Sequence, residues 1–331
     1  MTSNALTLRQ AALAAVDQAA VDAFADFIRL EVGDGDASAQ TARTYLANVG
    51  DFYVWCQANG VRASAATEAD LKNYRRELVE RGTPRSTQSA RLAAVRRFFA
   101  AAVWRGLRAD NPAAGLRAKK DRTAEEEKIH YLKQADYMTR LLSVVDGDDV
   151  RAVRDRAILA LFSLQGLRVA EAAALDVSDV DLVANEVRIR SGKGGKKRTL
   201  ILATTDRAAL ADWLAVRDQV AVEDEAALFV AVARNQTDAP GRRMTDRSLR
   251  RRVDRYLTLA GLKKEGFSCH SLRHSAATWS AFAGASVEQI AKQLGHSSLT
   301  TTTKYVDAAE RLKKNPAAIL EAFFSQREAS V

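Results

Sequence analysis

GFSCHSLRH at 266–274 and KQLGHSSLTTTTKYVD at 292–307 decide how the chain reads. The first carries His270 and Arg273, three apart. His296 follows Arg273 by 23 residues, and Tyr305 follows His296 by nine. Upstream, GLRVAE at 166–171 carries Arg168, and SGKGGKKR at 191–198 carries Lys193. This is a set of cations with one tyrosine, and neither an acidic pair nor a thiol serves it. A phosphodiester is negative, and in-line displacement puts more charge on its equatorial oxygens, so fixed cations aimed there are the largest catalytic effect to be had. A phenol oxygen is a competent nucleophile once a base or nearby positive charge helps it ionise. The parts suit attack by Tyr305 on a phosphate held by arginines and histidines.

The local pattern places these residues on helices and one hairpin. Ser268 caps a helix that carries His270, Arg273 and His274 on one face. Two histidines at i and i+4 can mark a zinc site, but an arginine shares the face and no acid or thiol offers a third ligand, so no metal is expected. His274 reads as a structural side chain. Ser286 and Gln289 form a capping box, and Gly295 ends that helix just before His296. Residues 150–165 read as an apolar helix stopped by Gly166. Arg168 then stands at the start of a short helix, where anions are favoured. Glu171 is within helical reach of Arg168, either as a plain ion pair or as its brace. The runs 186–190 and 199–202 flank a Gly-rich basic turn and predict a β-hairpin with Lys193 at its tip. Residues 227–230 (ALFV) suggest another short strand.

From Thr245 a further helix turns Leu249, Val253, Tyr256 and Leu257 inward and Arg247, Arg250 and Arg251 outward. With Arg242 and Arg243 before it, this is the most arginine-dense stretch, and it predicts DNA contact. Farther upstream, 7–31, 39–58, a helix capped by Thr67, and one opened by Ser86 give a four-helix bundle. The outer face of the fourth helix carries Arg85, Arg91, Arg96 and Arg97.

Net charge is +9 and the isoelectric point about 9.6, pointing to a polyanionic partner. The excess is uneven: residues 41–120 hold fifteen Lys/Arg against six acids, whereas 1–40 hold two against six. Cys56 and Cys269 are too few for a disulfide framework, which fits a reducing cytoplasm. Neither a signal peptide nor an apolar run approaching the ~20 residues of a membrane span is evident.

Taken in order, these motifs resemble the tyrosine recombinase (phage integrase) family, close to its Xer-like members, over nearly the whole chain. The resemblance implies a mainly α fold with a small β-sheet. A SAM-like, helical core-binding domain would span 1–120, a linker 121–130, and a mixed α/β catalytic domain 131–331 with a C-terminal tail at 312–331. It implies that the two lobes close around duplex DNA bearing paired inverted half-sites. Four protomers would join two duplexes, with a second recombinase or accessory protein as a further partner and the tail passing to a neighbour or docking in cis. It implies that Lys193 protonates the leaving 5′ oxygen. No cofactor is expected, because the phosphotyrosine linkage conserves the phosphodiester energy. Two rivals are a type IB topoisomerase and a DNA-binding protein whose catalytic residues are vestigial.

Overall fold

The computed structural model describes residues 18–32, 39–119, 130–190, 197–233, 238–296, 298–313 and 320. The chain divides into two compact units, 1–122 and 123–331. Among the described residues no helix is long and apolar enough to cross a membrane.

The first unit holds α1 (Gln18–Glu31), α2 (Ala39–Ala58), α3 (Glu68–Glu80) and α4 (Arg85–Trp104). The expected start of the first helix, 7–17, lies outside the described residues. Thr67 caps α3 in a reciprocal box with Asp70. α4 begins one residue before Ser86, with Pro84 at its N-cap, where no backbone N–H is missed. Phe24, Phe52, Tyr53, Tyr74, Phe98 and Phe99 fill the core. Their rings meet mostly edge to face, as Phe52 and Tyr74 do at 5.2 Å.

The second unit begins with α5 (Tyr137–Ser143) and α6 (Val150–Ala160), the latter capped by Asp149. The helix expected over 150–165 does not stay α-helical: Leu161–Gln165 form a π turn, and Gly166 closes it at φ +61°. α7 (Val169–Ala173) leads to a three-stranded antiparallel sheet, β1 (Val180–Asp181), β2 (Glu186–Ile189) and β3 (Arg198–Ile201), in that order. Ile189 pairs with Arg198, so the hairpin stem is as predicted. Its tip, 191–196 with Lys193, lies outside the described residues. There follow α8 (Thr204–Arg217), α9 (Asp246–Leu259), α10 (Cys269–Phe282), α11 (Val287–Leu294) and α12 (Thr300–Lys313).

Residues 227–230 do not form the expected strand. They make isolated bridges, Ala227 to Asp176 and Val230 to Arg243. The reason lies in who takes the carbonyls. Arg217 donates to the oxygen of Ala227, Trp213 to Leu228 and Arg154 to Val230. A buried run whose acceptors are claimed by helix side chains needs no partner strand on that side. It lies in the main core with Phe162, Leu200, Trp213, Leu249 and Leu272. A smaller apolar cluster gathers Ala277, Ile290, Leu294, Ala308 and Ala309 around Tyr305.

Candidate active site

α10 sits against both the π turn and α12, and so joins the motifs. Ser268 accepts from the His270 N–H and starts the helix at a defined residue. Arg273 then points inward and is 1 % exposed. Its Nη1 donates to the Gly166 carbonyl (2.7 Å) and its Nη2 to the Leu294 carbonyl (2.6 Å). A Cβ on Gly166 would meet Leu294 Cδ2 at 2.9 Å, so the glycine permits both the left-handed turn and this close approach. Arg168, Arg198, Glu171 and Tyr305 are near enough to act on the charge of Arg273. Burial first, and Arg168 next, lower it to about 10, which leaves a cation at neutral pH.

Glu171 is 3 % exposed and is the hub of the arginines. It accepts from the Arg168 backbone N–H (2.9 Å) and from Arg168 Nη1 (2.7 Å). It also accepts from Arg198 Nη1 (3.0 Å) and Nη2 (2.9 Å). Burial alone would push its carboxyl up, but the hydrogen bonds from Arg198 and Arg168 outweigh it and hold the group below the usual range. Arg198 also donates to the Gln293 carbonyl (2.8 Å), tying the base of the hairpin to α11. Sequence reasoning placed Arg198 only among the crowded cations of the turn; the structure puts it opposite Ile189, at the start of β3.

α11 ends with Gly295 at φ +66°, and the His296 N–H bonds back to the Ala291 carbonyl (3.0 Å). That closing turn fixes where His296 leaves the helix. His296 Nδ1 meets Thr302 Oγ1 at 2.8 Å. Burial, then Arg273 and Arg168, lower its imidazole to about 4, so it is neutral at pH 7. Arg198, Lys197, Gln293, Gly295 and His296 line a cleft of about 820 Å³ beneath the hairpin.

Tyr305 is 2 % exposed, and its ring lies 6.2 Å from that of His296, nearly parallel. Lys304 Nζ is 5.2 Å from the ring centre. Burial raises the phenol, and Arg273 and Arg168 oppose that rise. The Tyr305 hydroxyl hydrogen-bonds His274 Nδ1 at 2.7 Å. His274 was read as structural, yet it touches the one candidate nucleophile. His270 is exposed and meets the His274 ring edge-on at 4.4 Å. Among the described residues no three His, Cys, Asp or Glu side chains converge as metal ligands. Both cysteines are buried, and burial pushes their thiols up to about 12, far from any reactive thiolate.

The structure sorts the arginines predicted to meet DNA. Arg247, Arg250 and Arg251 are exposed on α9, as is Arg242 just before it. Arg243 is not turned outward: it donates to the Ala173 and Leu175 carbonyls and to the Asp176 carboxylate. On α4, Arg85 is exposed and Arg97 lies over the Tyr45 ring. Arg91 pairs with the buried Asp51 (3.1 Å), and Arg96 donates to the Leu116 carbonyl. A second concavity, about 310 Å³, is lined by Arg151, Arg154, Arg251, Arg252 and Arg255.

Residues 132–311 match the phage integrase family, and 19–106 match the phage integrase N-terminal SAM-like domain. The chain therefore belongs to the phage integrase family and is a tyrosine site-specific recombinase, an enzyme that cleaves and rejoins DNA. Tyrosine recombinase XerC of Corynebacterium efficiens is 35 % identical over 308 residues, covering 92 % of this chain and 89 % of its own length. XerC of Mycobacterium tuberculosis is 34 % identical over 295 residues, covering 88 % and 95 %. The fold is similar to that of the XerH site-specific recombinase bound to a palindromic difH substrate, with a TM-score of 0.68 at 21 % identity over 87 % of this chain and 82 % of the other. The Tn1549 transposon integrase in complex with circular intermediate DNA gives a TM-score of 0.65 at 18 % identity over 89 % and 99 %.

Proposed function

We propose that Arg168 and Arg273 clamp the scissile phosphate of a duplex bearing paired inverted half-sites, and that Tyr305 attacks it. The observation that carries this is the gathering of Arg168, Arg198, His296 and Tyr305 about the buried Arg273, with the Glu171 carboxylate among the arginines. A guanidinium has five N–H groups. Arg273 spends two on carbonyls that aim it, and the others remain for phosphate oxygens. His270 and His296 hydrogen-bond the same oxygens. In this reading the Thr302 hydroxyl, 2.8 Å from Nδ1, donates to it, which leaves the His296 ring proton on Nε2 for this purpose.

Attack by the Tyr305 oxygen forms a 3′-phosphotyrosyl bond and releases a 5′ hydroxyl, which Lys193 protonates as it leaves. The reverse reaction rejoins the strand, so neither a nucleotide nor a divalent ion is called for. Arg247, Arg250 and Arg251 on α9 contact the duplex, and Arg85 and Arg97 on α4 give the helical domain its hold. Assembly is a tetramer on two duplexes, in the cytoplasm where the DNA lies. Residues 314–319 and 321–331 of the tail, 312–331, lie outside the described residues.

The test is a duplex nicked next to the cleavage site, which traps the covalent adduct. Tyr305→Phe is expected to bind this DNA as the native chain does and to form no adduct on a denaturing gel. Persistence of the adduct would move the nucleophile elsewhere.

A further inference from the structure

Among the described residues, His274 is the group that hydrogen-bonds the attacking atom. Its Nδ1 is 2.7 Å from the Tyr305 hydroxyl, and both side chains are buried. The rings lie 5.4 Å apart, tilted by 43°. His270 reaches this pair through the His274 ring, at 4.4 Å and 74°, and stands at the solvent side. We propose that His274, rather than His270, is the general base that takes the phenolic proton of Tyr305, with His270 beside it as the next stop towards solvent. This rests on the recombinase reading above.

The step balances simply. The Tyr305 O–H bond breaks and its proton goes to His274 Nδ1. The phenol oxygen bonds to phosphorus while the bond from phosphorus to the 5′ oxygen breaks. That oxygen takes its proton from Lys193 in the reading above. Rejoining runs the same transfers backwards.

The surroundings keep His274 ready to accept. His270 and Arg273 face it from α10, Lys304 and Tyr305 from α12, and His130 from the segment before α5. Burial, then these positive or ionisable neighbours, lower the imidazole to about 3, so at neutral pH the ring is uncharged, and with its one proton on Nε2 the Nδ1 lone pair accepts from the Tyr305 hydroxyl. Burial also holds the proton on Tyr305. Both effects keep the resting pair un-ionised. A bound phosphate brings negative charge among Arg168, Arg273 and Lys304 and offsets the field that depresses His274. The base strengthens only when substrate is present.

The experiment compares His274→Gln and His270→Gln on the nicked duplex, with DNA affinity and thermal unfolding as folding controls. His274→Asn serves if Gln is not tolerated. The glutamine keeps an acceptor near Tyr305 but takes no proton. Adduct formation by His274→Gln is expected to slow by about 10²–10⁴-fold. Between about pH 6 and 8 its rate should climb about tenfold per pH unit, because solvent hydroxide must now do the work, while the native rate stays much flatter. His270→Gln should keep the native pH dependence. Replacing Tyr305 with 3,5-difluorotyrosine, a more acidic phenol, should restore His274→Gln and do little for His270→Gln. An unaltered rate in His274→Gln overturns the proposal. So does a slowed rate with the native pH profile, which would make His274 only a positioning residue, or rescue of His270→Gln instead. A native chain that forms no adduct at all fails the recombinase reading itself, which is a distinguishable result.

Discussion

Glu171→Gln tests whether the arginines are held by one buried charge. The wild-type carboxylate receives four hydrogen bonds, three from guanidinium groups and one from the Arg168 backbone. Glutamine has the same shape but sets an NH2 group against donors. It also removes the charge that balances Arg198, whose side chain is 9 % exposed. Arg168 is less affected, since its side chain is 25 % exposed and water can compensate. Breaking a buried pair by neutralising one partner costs about 3–5 kcal/mol. In a unit of this size each kcal/mol moves the melting temperature by about 2–4 °C, so a drop of about 6–20 °C is expected at pH 7.

The pH dependence has a definite sign. The folded carboxyl is held below its ordinary value. Its contribution is therefore fully present above the unfolded value, about 4.3, and is lost as pH falls through the lower folded one. The gap between native and Glu171→Gln should hold from neutral pH down to about 4 and close below it. Arg198→Leu combined with Glu171→Gln should cost less than the two changes summed, because the orphaned cation is gone. A loss under about 1 kcal/mol, a gap indifferent to acid, or plain additivity would each refute the idea that Glu171 and Arg198 are one buried unit.

Adduct formation should survive EDTA, since guanidinium groups replace the role a divalent ion plays elsewhere, and strict dependence on Mg²⁺ would count against the mechanism. Affinity for the half-site should fall by roughly 10³–10⁵ between 50 and 200 mM salt if about 6–10 phosphates are neutralised, which a filter-binding titration reads directly. Lys193→Ala should slow cleavage by about 10²–10⁴-fold with little change in affinity, and sulfur at the bridging 5′ position should restore it, because a thiolate leaves without the proton. Rescue of Lys196→Ala by the same substrate would reassign the acid. Deleting 316–331 should leave binding to a single half-site intact and weaken cooperative binding to paired half-sites, whereas lowered monomer stability alone would place the tail in cis.

The parts of the site legible in the sequence are those set by local signals. Ser268 starts α10, so the phase of His270, Arg273 and His274 can be counted from it. Ser286, Gln289 and Gly295 bound α11 and deliver His296 at a known point. What could not be read is contact across the fold. Arg198 and Glu171 are 27 residues apart, and His274 and Tyr305 are 31 apart. No periodicity encodes such a meeting. The run at 227–230 misled for the same reason: its apolar residues suit a strand, but Arg154, Trp213 and Arg217 arrive from elsewhere to take its carbonyls.

The arginines show where counting charge stops being informative. A count of charge treats each as a free cation on a basic face, yet buried and half-buried carboxylates claim several of them. Asp51 holds Arg91 and also accepts from Tyr74. Asp176 holds Arg190 and Arg243. Asp155, fully buried, holds Arg154 and accepts from Tyr256, with Arg252 at 3.4 Å. Glu171 holds Arg168 and Arg198. These pairs add little to stability on balance, since desolvation offsets much of their attraction. Their effect is positional: a guanidinium pinned on one edge by a carboxylate presents its other edge in a fixed direction. Arg168 so held lies near enough to act on the charge of Arg273, and Arg252 lines the concavity shared with Arg151, Arg251 and Arg255. The acids so poorly represented in a net charge of +9 thus decide which cations are spent on the fold and which are left for the proposed hold on a phosphate.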